Sequence, residues 1–274
     1  MLAAMADGFL AAVVQVRGTT DLGANETTAR ELVSRAAADG ARFIALPENW
    51  FFIGPLEEKV THAEPLEGPR VRRMQDLAAK LGVHLLLGSI AEVAPNPAQC
   101  FNTSVLLGPT GELLASYRKI HLFDVDIPDG AVFQESETVA EGDQGLTVVE
   151  TPLARFGLSV CYDLRFPEMY RALVADGAQV LAVPSAFTMF TGKDHWEVLL
   201  RARAIENTSW VIAPNHSGAH SKGRTSYGRS MIIDPWGTVV ANCSDGPGYA
   251  VARIDMGLLD RVRKQIPSLG HRRL

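Results

Sequence analysis

Cysteine is scarce in this sequence. Cys100, Cys161 and Cys243 are the only three, they lie far apart, and no C-x-x-C pair occurs. An odd, scattered set is neither a disulfide framework nor a zinc site, so a reducing cytoplasm is the expected compartment. Long apolar runs are missing too. No uninterrupted apolar stretch approaches the roughly 20 residues that span a bilayer, which excludes a membrane anchor of that kind. The apolar start MLAAMADGFLAAVVQV lacks a positively charged leading region and is broken by Asp7, so residues 1–8 read as a short extension and not as a signal peptide. Nor is there an excess of positive charge. With 26 Lys and Arg against 31 Asp and Glu, the net charge is -5, which argues against nucleic acid or a membrane surface as partner. Low-complexity linkers and repeats of solenoid period are also absent.

What is present is enough for a large core. The 274 residues are 47% hydrophobic and 21% charged, and they fit one α/β domain over 1–274, with 267–274 as a basic tail. A strand-like run at 9–16 precedes a helix pattern at 26–39, in which Ala29, Leu32, Val33, Ala36 and Ala37 recur at helical spacing before Gly40. A short buried-strand pattern at 43–46 runs into Pro47 and Glu48. A second helix pattern follows through Val71, Met74, Leu77, Ala78 and Leu81, then strands at 84–90, 101–107 and 112–119. The last two flank Pro109-Thr110-Gly111 and predict a hairpin, hence a mixed sheet. After a long aperiodic stretch at 121–147, the order is strand, helix (167–176), strand (178–184), helix (194–207) and strand (210–214). That βαβαβ order implies parallel strands with right-handed crossovers. Strands at 227–233, 238–243 and 249–254 and a helix at 256–266 complete the chain.

The stretch Gly157-Leu158-Ser159-Val160-Cys161-Tyr162-Asp163-Leu164-Arg165-Phe166-Pro167-Glu168 has the outline of a strand, a sharp bend and a helix opened by proline. A cysteine in an apolar run usually reads as a small buried hydrophobe. This one sits at a strand's carboxyl end, where open α/β folds place ligands. Glu48 and Lys119 also stand at strand ends that face loops. A thiol needs a base or a neighbouring cation to act as a nucleophile, a carboxylate can take its proton, and a lysine with the Tyr162 N–H can hold an oxyanion. Chemically the set suffices for acyl transfer without metal or cofactor. Each member alone has a plainer reading as a cap, a solvated strand end or packing.

The motifs LPENWF (46–51), YRKIHLFDVDIP (117–128), VCYDLRFPE (160–168) and HWEVLLRARAIEN (195–207) resemble the nitrilase superfamily of carbon-nitrogen hydrolases, over nearly the whole chain. By motif, the resemblance implies Glu48 as general base, Lys119 as the catalytic lysine, Cys161 as nucleophile and Glu135 as a second functional glutamate. It implies an αββα sandwich with mixed sheets that pairs with a second copy into a four-layered core, a homodimer at least. Within the superfamily the likeness is to the amidase branch. The expected substrate is a small amide of a 2-oxo acid, deaminated glutathione before 2-oxoglutaramate, cleaved through a cysteinyl thioester. An N-carbamoyl amino acid and a catalytically silent scaffold are the alternatives. A 2-oxo acid needs a cationic anchor, for which Arg165 is the candidate, against an ion pair with Glu168 or Asp163. The segment 213–220 departs from the family's pattern and is expected to line the pocket.

Three other patterns fail on inspection. Asp124-Val125-Asp126-Ile127-Pro128-Asp129-Gly130 with Glu135 suggests a calcium loop, but its fifth position is Pro128 and its glycine comes one residue late. Residues 218–225, GAHSKGRT, have arginine where a phosphate loop needs lysine. His216 and His220 are spaced for a helical metal site, yet Gly218 between them argues for a loop.

Overall fold

A computed structural model of the chain describes residues 8–126, 132–220 and 223–273. Residues 1–7 of the expected extension, and Pro128-Asp129-Gly130 of the calcium-like pattern, lie outside the described residues. In chain order the first half comprises β1 (Gly8–Gln15), α1 (Leu22–Ala38), β2 (Phe43–Ala45), α2 (Leu56–Thr61), α3 (Pro69–Leu81), β3 (His84–Leu86), β4 (Ile90–Val93), β5 (Cys100–Leu107), β6 (Leu113–Arg118), β7 (Asp124–Val125) and β8 (Phe133–Gln134). The second half comprises β9 (Thr147–Glu150), β10 (Arg155–Leu158), α4 (Pro167–Ala175), β11 (Val180–Ala182), α5 (Met189–Asn207), β12 (Trp210–Ala213), β13 (Ser217–Ala219), β14 (Thr225–Tyr227), β15 (Met231–Ile233), β16 (Val239–Asn242), β17 (Gly248–Asp255) and α6 (Met256–Gln265).

Continuous apolar runs become strands here because both faces of each central strand are covered. Along β1, Phe9, Ala11 and Val13 join one core while Ala12 and Val14 join another, and Phe43 and Ala45 of β2 divide from Ile44 in the same way. The first core lies between two sheets and continues beneath α4 and α5. The second lies beneath α1 and α3. One sheet has the order β17-β1-β2-β3-β5-β4 with β6 also paired to β5, and the other runs β16-β15-β12-β11-β10-β9. Both are mixed: β10, β11 and β12 are mutually parallel, as the βαβαβ reading requires, while β9, β15 and β16 are antiparallel. Where the sheets face one another, Phe43 and Phe156 stack at 4.2 Å between ring centroids, and Phe9 tilts against both at 6.5 and 6.2 Å. Helix, sheet, sheet and helix are therefore layered within a single chain, so no second copy is needed to complete the four layers.

Several boundaries differ from the sequence reading, each for a local reason. α2 has six residues, too few for periodicity to register. The run 84–90 is two strands, because Gly88 takes a left-handed φ of 61° and turns the chain between β3 and β4. The run 227–233 is likewise β14 and β15. α5 begins at Met189 and not at 194, capped by the Thr188 side chain on the Thr191 N–H. Gly192, which reads as a breaker, is instead the residue that fits: a Cβ there would lie 2.4 Å from that of Tyr227. Trp196 packs inward, but Val198 and Ile205, which share its apolar pattern, are 66% and 51% exposed. The stretch 121–147 contains β7, β8, a 3-10 turn at Glu135–Glu137 and the first residue of β9. Phe156→Ala removes the ring that joins the two sheets and is expected to cost about 3–5 kcal/mol, read as a lower denaturation midpoint with an unchanged m-value.

Candidate active site

Each of the four side chains singled out by motif is delivered by a bend at the edge of a sheet. Glu48 follows β2, and the chain turns at Asn49, whose φ is 49° and whose N–H donates to Ser89 Oγ at 2.9 Å. Gly88 lies against this bend so closely that a Cβ would sit 2.0 Å from the Pro47 carbonyl oxygen. Lys119 follows β6, its N–H donating to the Asn102 carbonyl of β5 at 2.9 Å. Glu135 opens the 3-10 turn after β8. Cys161 ends the extension of β10 with a φ of 50°, a left-handed conformation that a non-glycine residue holds only when its surroundings enforce it. The enforcement is visible. Asp163, fully buried, accepts from the Val160 N–H at 2.8 Å, the Tyr117 hydroxyl at 2.8 Å and His121 Nδ1 at 2.7 Å. The Cys161 N–H also donates to the Pro184 carbonyl at 2.9 Å.

The four side chains meet. Lys119 Nζ donates to Glu135 Oε2 at 2.7 Å and to Glu48 Oε1 at 3.2 Å. Asn102 Nδ2 bridges the same two carboxylates, at 2.8 Å to Glu48 Oε1 and 3.1 Å to Glu135 Oε1. The Ala186 N–H donates to Glu48 Oε2 at 3.0 Å, and the Phe123 N–H to Glu135 Oε2 at 2.8 Å. The Cys161 thiol lies close enough to Glu48 and Lys119 for both charges to act on it. Burial opposes the charge on Lys119, but Glu135 and Glu48 outweigh it and hold the ammonium well above the usual lysine range. Burial likewise opposes the charge on Glu135, yet Lys119 and Lys59 bring it down to about 2. For Cys161, burial and then the Glu48 charge push the thiol up, with Lys119 acting against them. The resting site thus holds a thiol beside a carboxylate. Two of the ammonium's three donors are engaged, leaving the third for an oxyanion. A base, a nucleophile and an oxyanion donor stand in mutual contact, which is the equipment of acyl transfer.

Behind Glu48 lies His216, fully buried. The Gly18 N–H donates to its Nδ1 at 3.1 Å, which leaves Nε2 protonated and donating to the Glu48 carbonyl oxygen at 2.7 Å. Burial, with His220 nearby, lowers its pKa to about 3, so the ring is neutral and ties the backbone of Glu48 to that of Gly18. Sequence reading flagged the segment but expected it to line the pocket; His220 does so, while His216 stands behind the base. Asn102 and Asp163 were missed. Asn102 left one signal, as the first of three polar residues, with Thr103 and Ser104, in the fully buried strand CFNTSVLL.

Arg165 forms neither of the ion pairs weighed for it. It lines the cavity with its guanidinium 5.3 Å from the Phe187 ring centroid and 5.8 Å from that of Tyr162, and it meets His195 Nδ1 at 3.4 Å. The cavity, about 560 Å³, opens over Cys161 and is lined, among the described residues, by five cations, Lys59, Lys119, Arg165, Lys193 and Arg224, against two carboxylates, Glu48 and Glu135. Cys100 and Cys243 are buried elsewhere with their thiols pushed up by burial. Among the described residues, no group of three or more His, Cys, Asp and Glu side chains could hold a metal ion, and no helix is long and apolar enough to cross a membrane.

A sequence profile of the carbon-nitrogen hydrolase family matches residues 10–264. A curated relative from Synechocystis, deaminated glutathione amidase, is 45% identical over 266 residues, 96% of this chain and 98% of its own length. The solved structure of the C. elegans NitFhit protein superposes with a TM-score of 0.93 at 39% identity, over 98% of this chain and 66% of that longer one. An amidase from Nesterenkonia superposes with a TM-score of 0.77 at 28% identity, over 94% of this chain and 95% of that one; it is a glutamate-to-glutamine variant with the acetamide moiety of fluoroacetamide added covalently at the active-site cysteine.

The neutral His216 gives a stability test. Its folded pKa of about 3 lies below its ordinary 6.5, so between these values the unfolded chain binds the proton that the native chain refuses, and stability falls as pH drops from 6.5 toward 3. His216→Gln keeps a donor and an acceptor but cannot titrate. Denaturation at a series of pH values should show its acid slope shallower than the wild type's by about 1.4 kcal/mol per pH unit.

Proposed function

The chain belongs to the carbon-nitrogen hydrolase family and hydrolyses amide bonds, and we propose that it cleaves deaminated glutathione to 2-oxoglutarate and Cys-Gly. The observation that carries this is charge. In a chain of net charge -5, the described residues of the cavity above the thiol gather five cations against two carboxylates, which suits an anionic amide. The relatives at 45% identity that bear the name deaminated glutathione amidase support the particular substrate. A cavity of about 560 Å³ also leaves room for a leaving dipeptide beside the acyl group.

In this reading Glu48 accepts the thiol proton as Cys161 Sγ attacks the amide carbonyl carbon. The carbonyl oxygen becomes an oxyanion held by the free Lys119 N–H and the Tyr162 N–H. Collapse breaks the C–N bond, the amine leaves with the proton returned from Glu48, and a thioester remains on Cys161. Water, deprotonated by Glu48, then attacks the thioester; the acid leaves and the thiol is restored. Glu135 and Asn102 hold Lys119 and Glu48 in register, and Arg165 supplies a guanidinium for a substrate carboxylate. Three unpaired buried cysteines fit a reducing compartment such as the cytoplasm. The exposed apolar strip of Val198 and Ile205 on α5 with Trp236 of the neighbouring turn fits pairing with a second copy.

The test is turnover on a panel of amides. We expect Cys-Gly release from deaminated glutathione with a higher kcat/KM than ammonia release from 2-oxoglutaramate. Cys161→Ala should lower turnover by at least about 10³-fold while folding normally. Faster ammonia release would make 2-oxoglutaramate the substrate, carbon dioxide from N-carbamoyl amino acids would replace both, and retained activity in Cys161→Ala would reject the mechanism.

A further inference from the structure

Lys59 stands apart from the other cations of the cavity. It is carried by α2, is 4% exposed and faces the cavity, yet its side chain makes no hydrogen bond or ion pair among the described residues. A lysine so little exposed and with no direct side-chain partner is unusual, because lysines are rarely buried unless paired. Its charge acts on Glu135, which already accepts hydrogen bonds from Lys119, Asn102 and the Phe123 N–H. Arg165, by contrast, projects from the turn after Cys161 and meets α5 at His195. The two cations therefore reach the cavity from separate elements.

We propose that Lys59 is a second carboxylate anchor, which takes the substrate carboxylate that Arg165 does not. The inference rests on the substrate reading above, because deaminated glutathione has two such groups, one on the acyl chain and one at the end of the leaving dipeptide. A cation held by a helix at the cavity wall, with no side-chain partner of its own, is a preorganised site for an anion: a carboxylate settling on it forms the ion pair that the protein alone lacks.

Lys59→Met, which keeps the side-chain length and removes the charge, tests this. Kinetics on deaminated glutathione and 2-oxoglutaramate, for the wild type, Lys59→Met and Arg165→Met, should show KM for deaminated glutathione raised at least about 30-fold in each variant, the low end for losing one partner of a buried charge pair. 2-Oxoglutaramate, with one carboxylate, should suffer in only one of them. 2-Oxoglutarate should raise the wild-type Tm more than the Tm of whichever variant loses 2-oxoglutaramate.

A failure of Lys59→Met to fold, or an unchanged KM for deaminated glutathione in it, would mean that Lys59 serves only as counter-charge to Glu135, and would overturn the proposal. So would a fall in kcat with KM unchanged, or losses by both variants on 2-oxoglutaramate, which would place both cations on one carboxylate. A wild type inactive on both amides would refute the substrate reading instead. In that case a Tm shift by glutarate that is present in the wild type and missing in Lys59→Met still supports the anchor, and an equal shift in both overturns it.

Discussion

Lys119 is 1% exposed, and its ammonium remains charged because Glu135 and Glu48 accept from it at 2.7 and 3.2 Å. Removing one member of such a buried set strands the others as uncompensated charge, at a cost of about 3–5 kcal/mol, so the carboxylates and the amine require one another. The set also ties together distant parts of the chain. Glu48 comes from the end of β2, Lys119 from the end of β6 and Glu135 from the turn after β8, while the Ala186 N–H that steadies Glu48 belongs to the loop after β11 in the other sheet. Holding these groups within hydrogen-bond reach demands that two sheets meet in fixed register, and the stacked Phe43 and Phe156 show how tightly they do.

The nucleophile depends on the same interaction. Burial and the Glu48 charge push the Cys161 thiol up, so the protonated form is favoured at rest. In the proposed mechanism its proton leaves as a carbonyl is presented to the sulfur and the resulting oxyanion is held by Lys119. The left-handed Cys161 is locked from beneath by Asp163, and the base is locked from behind by His216, so little rearrangement is needed as charge develops. Strain at one residue is offset by hydrogen bonds from several others.

The sequence made the strands and their mixture of directions legible, because alternate residues of β1 and β2 serve two separate cores and so produce long apolar runs. It located Glu48, Lys119, Cys161 and Glu135 through motifs, each at the end of a strand. It could not reveal Asn102 as a bridge, since a polar residue within a strand gains its meaning only when two carboxylates from elsewhere arrive at it. His216 was visible as a departure from pattern but not as a support for the base, because its partners Gly18 and Glu48 are remote in the chain. α2, and Lys59 with it, was hidden by shortness, and the start of α5 by a glycine that answers to Tyr227 and not to its own helix.

The measurement that bears most directly on this account is mass spectrometry of the enzyme quenched in acid during turnover of deaminated glutathione, with the adduct mapped by peptide. The account predicts a 2-oxoglutaryl thioester on the peptide that contains Cys161, absent when Glu48 is replaced by glutamine. Steady turnover with Cys161 unmodified, or an adduct that forms equally fast without the Glu48 carboxylate, would contradict it.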